Sequence, residues 1–107
     1  MQELDYYAKI ICELFCITEK QLFEKTKKRY VTDLRAVFYK VCKENTKLSY
    51  AEIAAYKLFR THATALYAIY KIDEIPELKA KYDLVVRYIK ERENGITRKH
   101  QTTEKNI

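Results

Sequence analysis

Ser49-Tyr50-Ala51-Glu52-Ile53-Ala54-Ala55, then Tyr56 to Phe59, then Arg60-Thr61-His62-Ala63-Thr64-Ala65-Leu66 is the stretch on which the reading of this chain turns. Ser49 with Glu52 three residues on is a capping box, and it opens a short helix carrying Ile53 and Ala54. Residues 57–60 form a turn although they contain no glycine. Thr61 caps a second helix to about Ile72, with Ala65, Leu66 and Ile69 turned inward. Two capped helices around a tight turn outline a helix-turn-helix, whose second helix enters the DNA major groove and uses its N-terminal residues on base edges. Those residues are Arg60, Thr61, His62, Ala63 and Thr64. Arg bridges guanine bidentately, Thr offers a hydroxyl or a methyl, and His donates to an acceptor. The helix N-terminus itself favours phosphate. Periodicity alone does not separate this outline from a helical hairpin in any small bundle.

Working outward, the flanks are helical too. Leu4, Tyr7, Ala8, Ile11 and Phe15 make one apolar stripe, which predicts a helix over residues 3–16. Thr18 with Gln21 is a second capping box and opens a short helix carrying Leu22 and Phe23. Residues 25–30 read as a loop. Thr32 is the expected cap of a helix ending near Asn45, with Leu34, Val37, Phe38, Val41 and Cys42 on its inner face. Pro76 suits the first turn of a sixth helix reaching about Glu93. Residues 94–107 lack periodicity and contain Asn94-Gly95, so they read as a disordered basic tail after a helical domain over residues 1–93. One Gly and one Pro in 107 residues are too few for a many-stranded β fold or a glycine-rich phosphate loop. The expected fold is all-α, a small bundle of about six helices.

The net charge of +6 is matched by residues 20–50 alone, where nine Lys and Arg face Glu24, Asp33 and Glu44. The densest run is Lys25, Lys27, Lys28 and Arg29. Such a segment suits a polyanion, since each neutralised phosphate releases counterions; a solvated face and anionic lipid are the plainer alternatives. The N-terminus has no signal peptide pattern and no stretch is apolar enough to span a bilayer. Cys12, Cys16 and Cys42 therefore read as reduced core thiols of a cytoplasmic protein. With two histidines, and no pocket or base visible for a thiol nucleophile, no enzyme, cofactor, metal site or small-molecule substrate is expected. Of the ten tyrosines, Tyr7, Tyr39 and Tyr82 lie on apolar stripes and read as packing, whereas Tyr30 and Tyr67 adjoin expected contact positions.

Leu48-Ser49-Tyr50-Ala51-Glu52-Ile53-Ala54 and Arg60-Thr61-His62-Ala63-Thr64-Ala65-Leu66 together resemble the C-terminal DNA-binding domain of the bacterial replication initiator DnaA. Ile17-Thr18 with Leu22, Lys27-Lys28-Arg29-Tyr30-Val31 with Arg35, and Lys71-Ile72 extend the resemblance over about residues 8–90. It implies a fold of the Trp repressor and DnaA C-terminal kind, and sequence-selective binding of double-stranded DNA. By position, Arg29 would enter the minor groove. Arg60, Thr61, His62 and Thr64 would read the major groove, with Lys27, Lys28, Ser49, Lys57 and Lys71 at phosphates. The departures are Thr61 for an Asp, Ala63 for a Thr, Tyr67 for a His, Asp33 for a basic residue, Leu34 for a proline, and Leu58-Phe59 for the family's Gly-Gly turn. No ATPase motif is present, so the resemblance is to the reading module alone, of the kind expected from a phage or mobile element in replication or transcription control. The second expectation is a helical interaction module that has lost base reading and binds a replication protein or the host initiator. Phe59 as a hydrophobic staple before Thr61 is one way such a turn is held.

Overall fold

A computed structural model describes the backbone of residues 2–57 and 60–105, and side chains over 3–57 and 60–94. The turn at Leu58-Phe59, and with it the Phe59 staple, lies outside the described residues. Six helices follow in order: α1 (Gln2–Phe15), α2 (Glu19–Phe23), α3 (Arg29–Asn45), α4 (Tyr50–Ala55), α5 (His62–Glu74) and α6 (Pro76–Lys105). Among the described residues there is no strand. The protein is all-α, as its periodicity and its poverty in glycine require.

The two capping boxes form as the sequence indicates. Thr18 Oγ1 accepts from the Gln21 N–H at 3.0 Å while Gln21 Oε1 accepts from the Thr18 N–H at 2.8 Å. Ser49 Oγ accepts from the Glu52 N–H at 3.2 Å, and Glu52 Oε1 accepts from the Ser49 N–H at 3.0 Å. That second bond favours the ionised form and holds the Glu52 carboxyl below its ordinary value. Its contribution is therefore present above the usual carboxylate range and is lost as pH falls through the lowered value. Thr61 stands at the N-cap of α5 with extended backbone but makes no side-chain cap bond. A differential effect follows. Ser49→Ala should cost about 1 kcal/mol in chemical denaturation, whereas Thr61→Ala should cost no more than a few tenths.

Three boundaries differ from expectation. α3 begins at Arg29 rather than after Thr32, because the Lys28 carbonyl already takes the N–H groups of Val31 and Thr32, at 3.1 and 3.0 Å. The Thr32 hydroxyl is not a cap; it donates to the Arg29 carbonyl within the first turn, at 3.1 Å. The basic loop is correspondingly shorter, and Arg29 is a helical residue. α5 runs on to Glu74 instead of Ile72. α6 continues past Glu93 to Lys105, with Asn94-Gly95 in its interior. A glycine there costs only about 1 kcal/mol against alanine, too little to stop a helix already several turns long.

α3 is the central rod and packs against all five other helices. Leu34, Val37, Phe38, Val41 and Cys42 are completely enclosed, against Leu4, Ile10 and Ile11 of α1, Leu22 of α2, Ile53 of α4 and Ile72 of α5. Leu78, Val85 and Ile89 of α6 close the same core. Phe38 sits edge-on to Phe23, ring centroids 5.3 Å apart, and 5.8 Å from Tyr56, so one aromatic cluster joins α2, α3 and the end of α4. Tyr7, Tyr39 and Tyr82 are all buried, in keeping with a packing role. Burial pushes the Cys12 thiol up to about 11 and that of Cys42 higher still, so both stay protonated at neutral pH and serve as core side chains. Among the described residues no helix is long and apolar enough to cross a membrane.

Candidate nucleic-acid interface

α4 and α5 form the close pair that residues 49–72 indicate, and both lean on α3. The turn between them is anchored at each end. Lys57 adopts left-handed backbone, φ 56°, which a side-chain-bearing residue enters at about 1–2 kcal/mol. The Arg60 N–H then returns to the Ala54 carbonyl at 3.0 Å. The Lys57 side chain lies over the Phe23 and Tyr56 rings and reaches Glu19 of α2, Nζ to Oε1 3.6 Å. That long-range pairing ties the turn to α2 and accounts for a lysine at the left-handed position.

A cleft of about 310 Å³ opens between α3 and α5 beside this turn. The basic loop contributes Thr26 and Lys27, and α3 contributes Thr32, Arg35 and Tyr39. Arg60, Thr64 and Lys71 close it from the other side. Thr32, Arg35 and Tyr39 are spaced three and four along α3, and Thr64, Ala68 and Lys71 four and three along α5, so each helix presents one stripe. Thr61 Oγ1 lies 3.4 Å from Thr64 Oγ1, at the mouth of α5. No carboxylate is among the residues lining the cleft. The arrangement suits acceptor-rich, negatively charged groups: fixed hydroxyls and cations converge from a loop and two helices.

Not every residue singled out in the sequence gathers here. Lys27, Arg60, Thr64 and Lys71 line the cleft, and His62 is exposed in the first turn of α5. Arg29 does not. With α3 starting at Arg29, its side chain lies on the face of Asp33, Nε to Oδ2 3.8 Å, and the same carboxylate takes Lys81 of α6 at 3.5 Å. Lys28 is the exposed N-cap residue of α3. Ser49 is engaged in its capping box, and Lys57 with Glu19. Tyr67 is 64% exposed with Lys71 Nζ 4.6 Å from its ring centre, whereas the Tyr30 hydroxyl donates to the Phe15 carbonyl at 3.0 Å. Thr26, Thr32, Arg35 and Tyr39 are the lining residues that spacing alone does not mark. Arg35 is the most telling of them, as an arginine on the otherwise apolar inner face of α3.

Among the described residues no three His, Cys, Asp or Glu side chains are grouped to hold a metal ion. A short capped helix followed closely by a second helix, with a cationic cleft beside the pair, has the outline of the helix-turn-helix class, whose second helix meets DNA. The comparison with known families is in accord. The model of the bacterial DnaA protein helix-turn-helix matches residues 5–72, and the chain belongs to that family. The chromosomal replication initiator protein DnaA of Flavobacterium psychrophilum is 33% identical to it over 72 residues. The match takes in 67% of this chain and 15% of that protein's length. No solved structure matches the chain significantly. The matched region contains α2 to α4 whole and most of α1 and α5; α6 lies beyond it. Family and fold support DNA binding by this chain.

Proposed function

We propose that this protein is a sequence-selective reader of double-stranded DNA, a binding module rather than an enzyme. The observation that carries the reading is the cleft lined by Lys27 of the basic loop, Arg60 just before α5, and Thr64 and Lys71 of α5. Arg60, Thr61, His62 and Thr64 stand at the start of α5, the part of a recognition helix that meets base edges. Lys27, Lys28 and Lys71 would hold phosphates on either side of the groove. Arg29 takes up the minor-groove role by leaving Asp33, an exchange of one ionic partner for another. Control of replication or transcription, in a cytoplasm and from a mobile element or phage, is the setting this reading suits.

Arg60→Ala should weaken the preferred duplex by about 1–3 kcal/mol and relax the preference at one base pair. Lys28→Ala should weaken all sequences alike and reduce the salt slope by about 1. Gel shifts over a panel of single-base variants of the selected duplex separate the two. Equal losses on every sequence for Arg60→Ala would remove it from base reading.

The second reading, docking to a replication protein or the host initiator, is favoured by Tyr67 and Tyr70, the most exposed large apolar side chains described, both on α5. In that case Tyr67→Ala would abolish capture of the partner, and Arg60→Ala would leave it unchanged.

A further inference from the structure

Among the described residues the buried charged side chains are those of Asp33 and Arg35. Asp33 sits in the second turn of α3, just behind the basic loop, and a carboxylate so enclosed must keep a cation beside it. Two cations share it. Lys81 of α6 donates from Nζ to Oδ2 at 3.5 Å, and Arg29 Nε stands 3.8 Å from the same oxygen, beyond hydrogen-bond reach. They are not held alike. The Arg29 side chain is 67% exposed and is attached to Asp33 by charge alone. The Lys81 side chain is 28% exposed, and its ammonium lies 5.2 Å from the centre of the Tyr30 ring. That ring is fixed in turn by the Tyr30 hydroxyl, which donates to the Phe15 carbonyl at 3.0 Å. Arg29 can therefore leave while Lys81 stays, and no bare carboxylate is left enclosed in the protein. The cation that stays belongs to α6, beyond the region shared with the family.

We infer that Asp33 and Lys81 are positioning residues for duplex binding, acting through Arg29; this rests on the reading of Arg29 as a duplex contact. Asp33 holds Arg29 back in the free protein, and Lys81 supplies the counterion that lets it go. α6 thereby acts on affinity without touching the duplex. The hold on Arg29 is an exposed ion pair, so it weights affinity by a few-fold and weakens as salt rises.

Fluorescence anisotropy of a labelled duplex with the full chain, at about 100 mM salt where screening is incomplete, is the direct test. Asp33→Asn should tighten binding about two- to fivefold. Lys81→Gln leaves Asp33 dependent on Arg29 and should weaken binding by about as much. Both effects should vanish in an Arg29→Ala background, which separates action through Arg29 from a general change of charge. Lys90→Gln removes the same charge as Lys81→Gln from an exposed position of α6 and should change affinity little. Where Asp33→Asn does not fold, Lys81→Gln and its double variant with Arg29→Ala decide the matter alone. Effects of unchanged size in the Arg29→Ala background overturn the inference and leave the DNA reading standing. A wild type that binds the duplex and is indifferent to both substitutions does the same. A wild type that binds no duplex overturns the DNA reading, and this inference with it.

Discussion

Phe38→Ala should destabilise the fold by about 3–5 kcal/mol, in the upper range for a single core truncation. Phe38 is completely enclosed and is the largest such side chain described. Its ring meets those of Phe23 and Tyr56, so the cavity would open where α2, α3 and the end of α4 converge. None of these three helices can move in to fill it, since α3 is fixed by every other helix. A domain of this size holds about 5–15 kcal/mol in all, so the variant is left near the threshold of folding. In thermal melts Tm should fall by well over about 10 °C. Phe38→Leu, which keeps most of the volume, should lose less than half as much. A loss under about 1 kcal/mol for the alanine variant would mean that the aromatic cluster does not hold the bundle together.

The second large effect is on binding. Lys27, Lys28, Arg35, Arg60 and Lys71 are not engaged by any ion pair found among the described residues, unlike Arg29 and Lys57. If about five phosphates are neutralised, log affinity should fall with log salt at a slope near −4.5. Between about 50 and 200 mM salt that is a loss of about 500-fold. Fluorescence anisotropy across a salt series measures it. A slope near zero would mean that the basic cleft is a solvated surface and not a nucleic-acid contact.

Much of this architecture is local and so is legible in the chain before folding. A capping box needs only four residues, and Thr18-Gln21 and Ser49-Glu52 both form as their spacing indicates. The inner face of α3 follows from residues three and four apart. What the chain does not display is which way a helix is turned about its axis once packed. Arg29 and Arg35 look alike as basic residues near one loop, yet one side chain pairs with Asp33 toward α6 and the other lies under α5. That division follows from α3 starting at Arg29, and no side-chain cap marks the start. Thr32 imitates a cap and is instead a helical residue bonded to its own first turn. Lys57 is a surface lysine by composition, and only its contact with Glu19, 38 positions earlier, shows it holding the turn. The scarcity of glycine takes on a sharper meaning as well. Where glycine would enter left-handed backbone freely, Lys57 does so, held by aromatic rings and a carboxylate.

The central claim is that α5, with the cleft beside it, reads duplex sequence. Selection from a random duplex pool at moderate salt, run in parallel with wild type and Arg60→Ala, tests it most directly. The wild type should enrich one short motif, and Arg60→Ala should enrich the same motif with one position degenerate. Enrichment of no motif by the wild type, or of an identical and equally sharp motif by both, would contradict it.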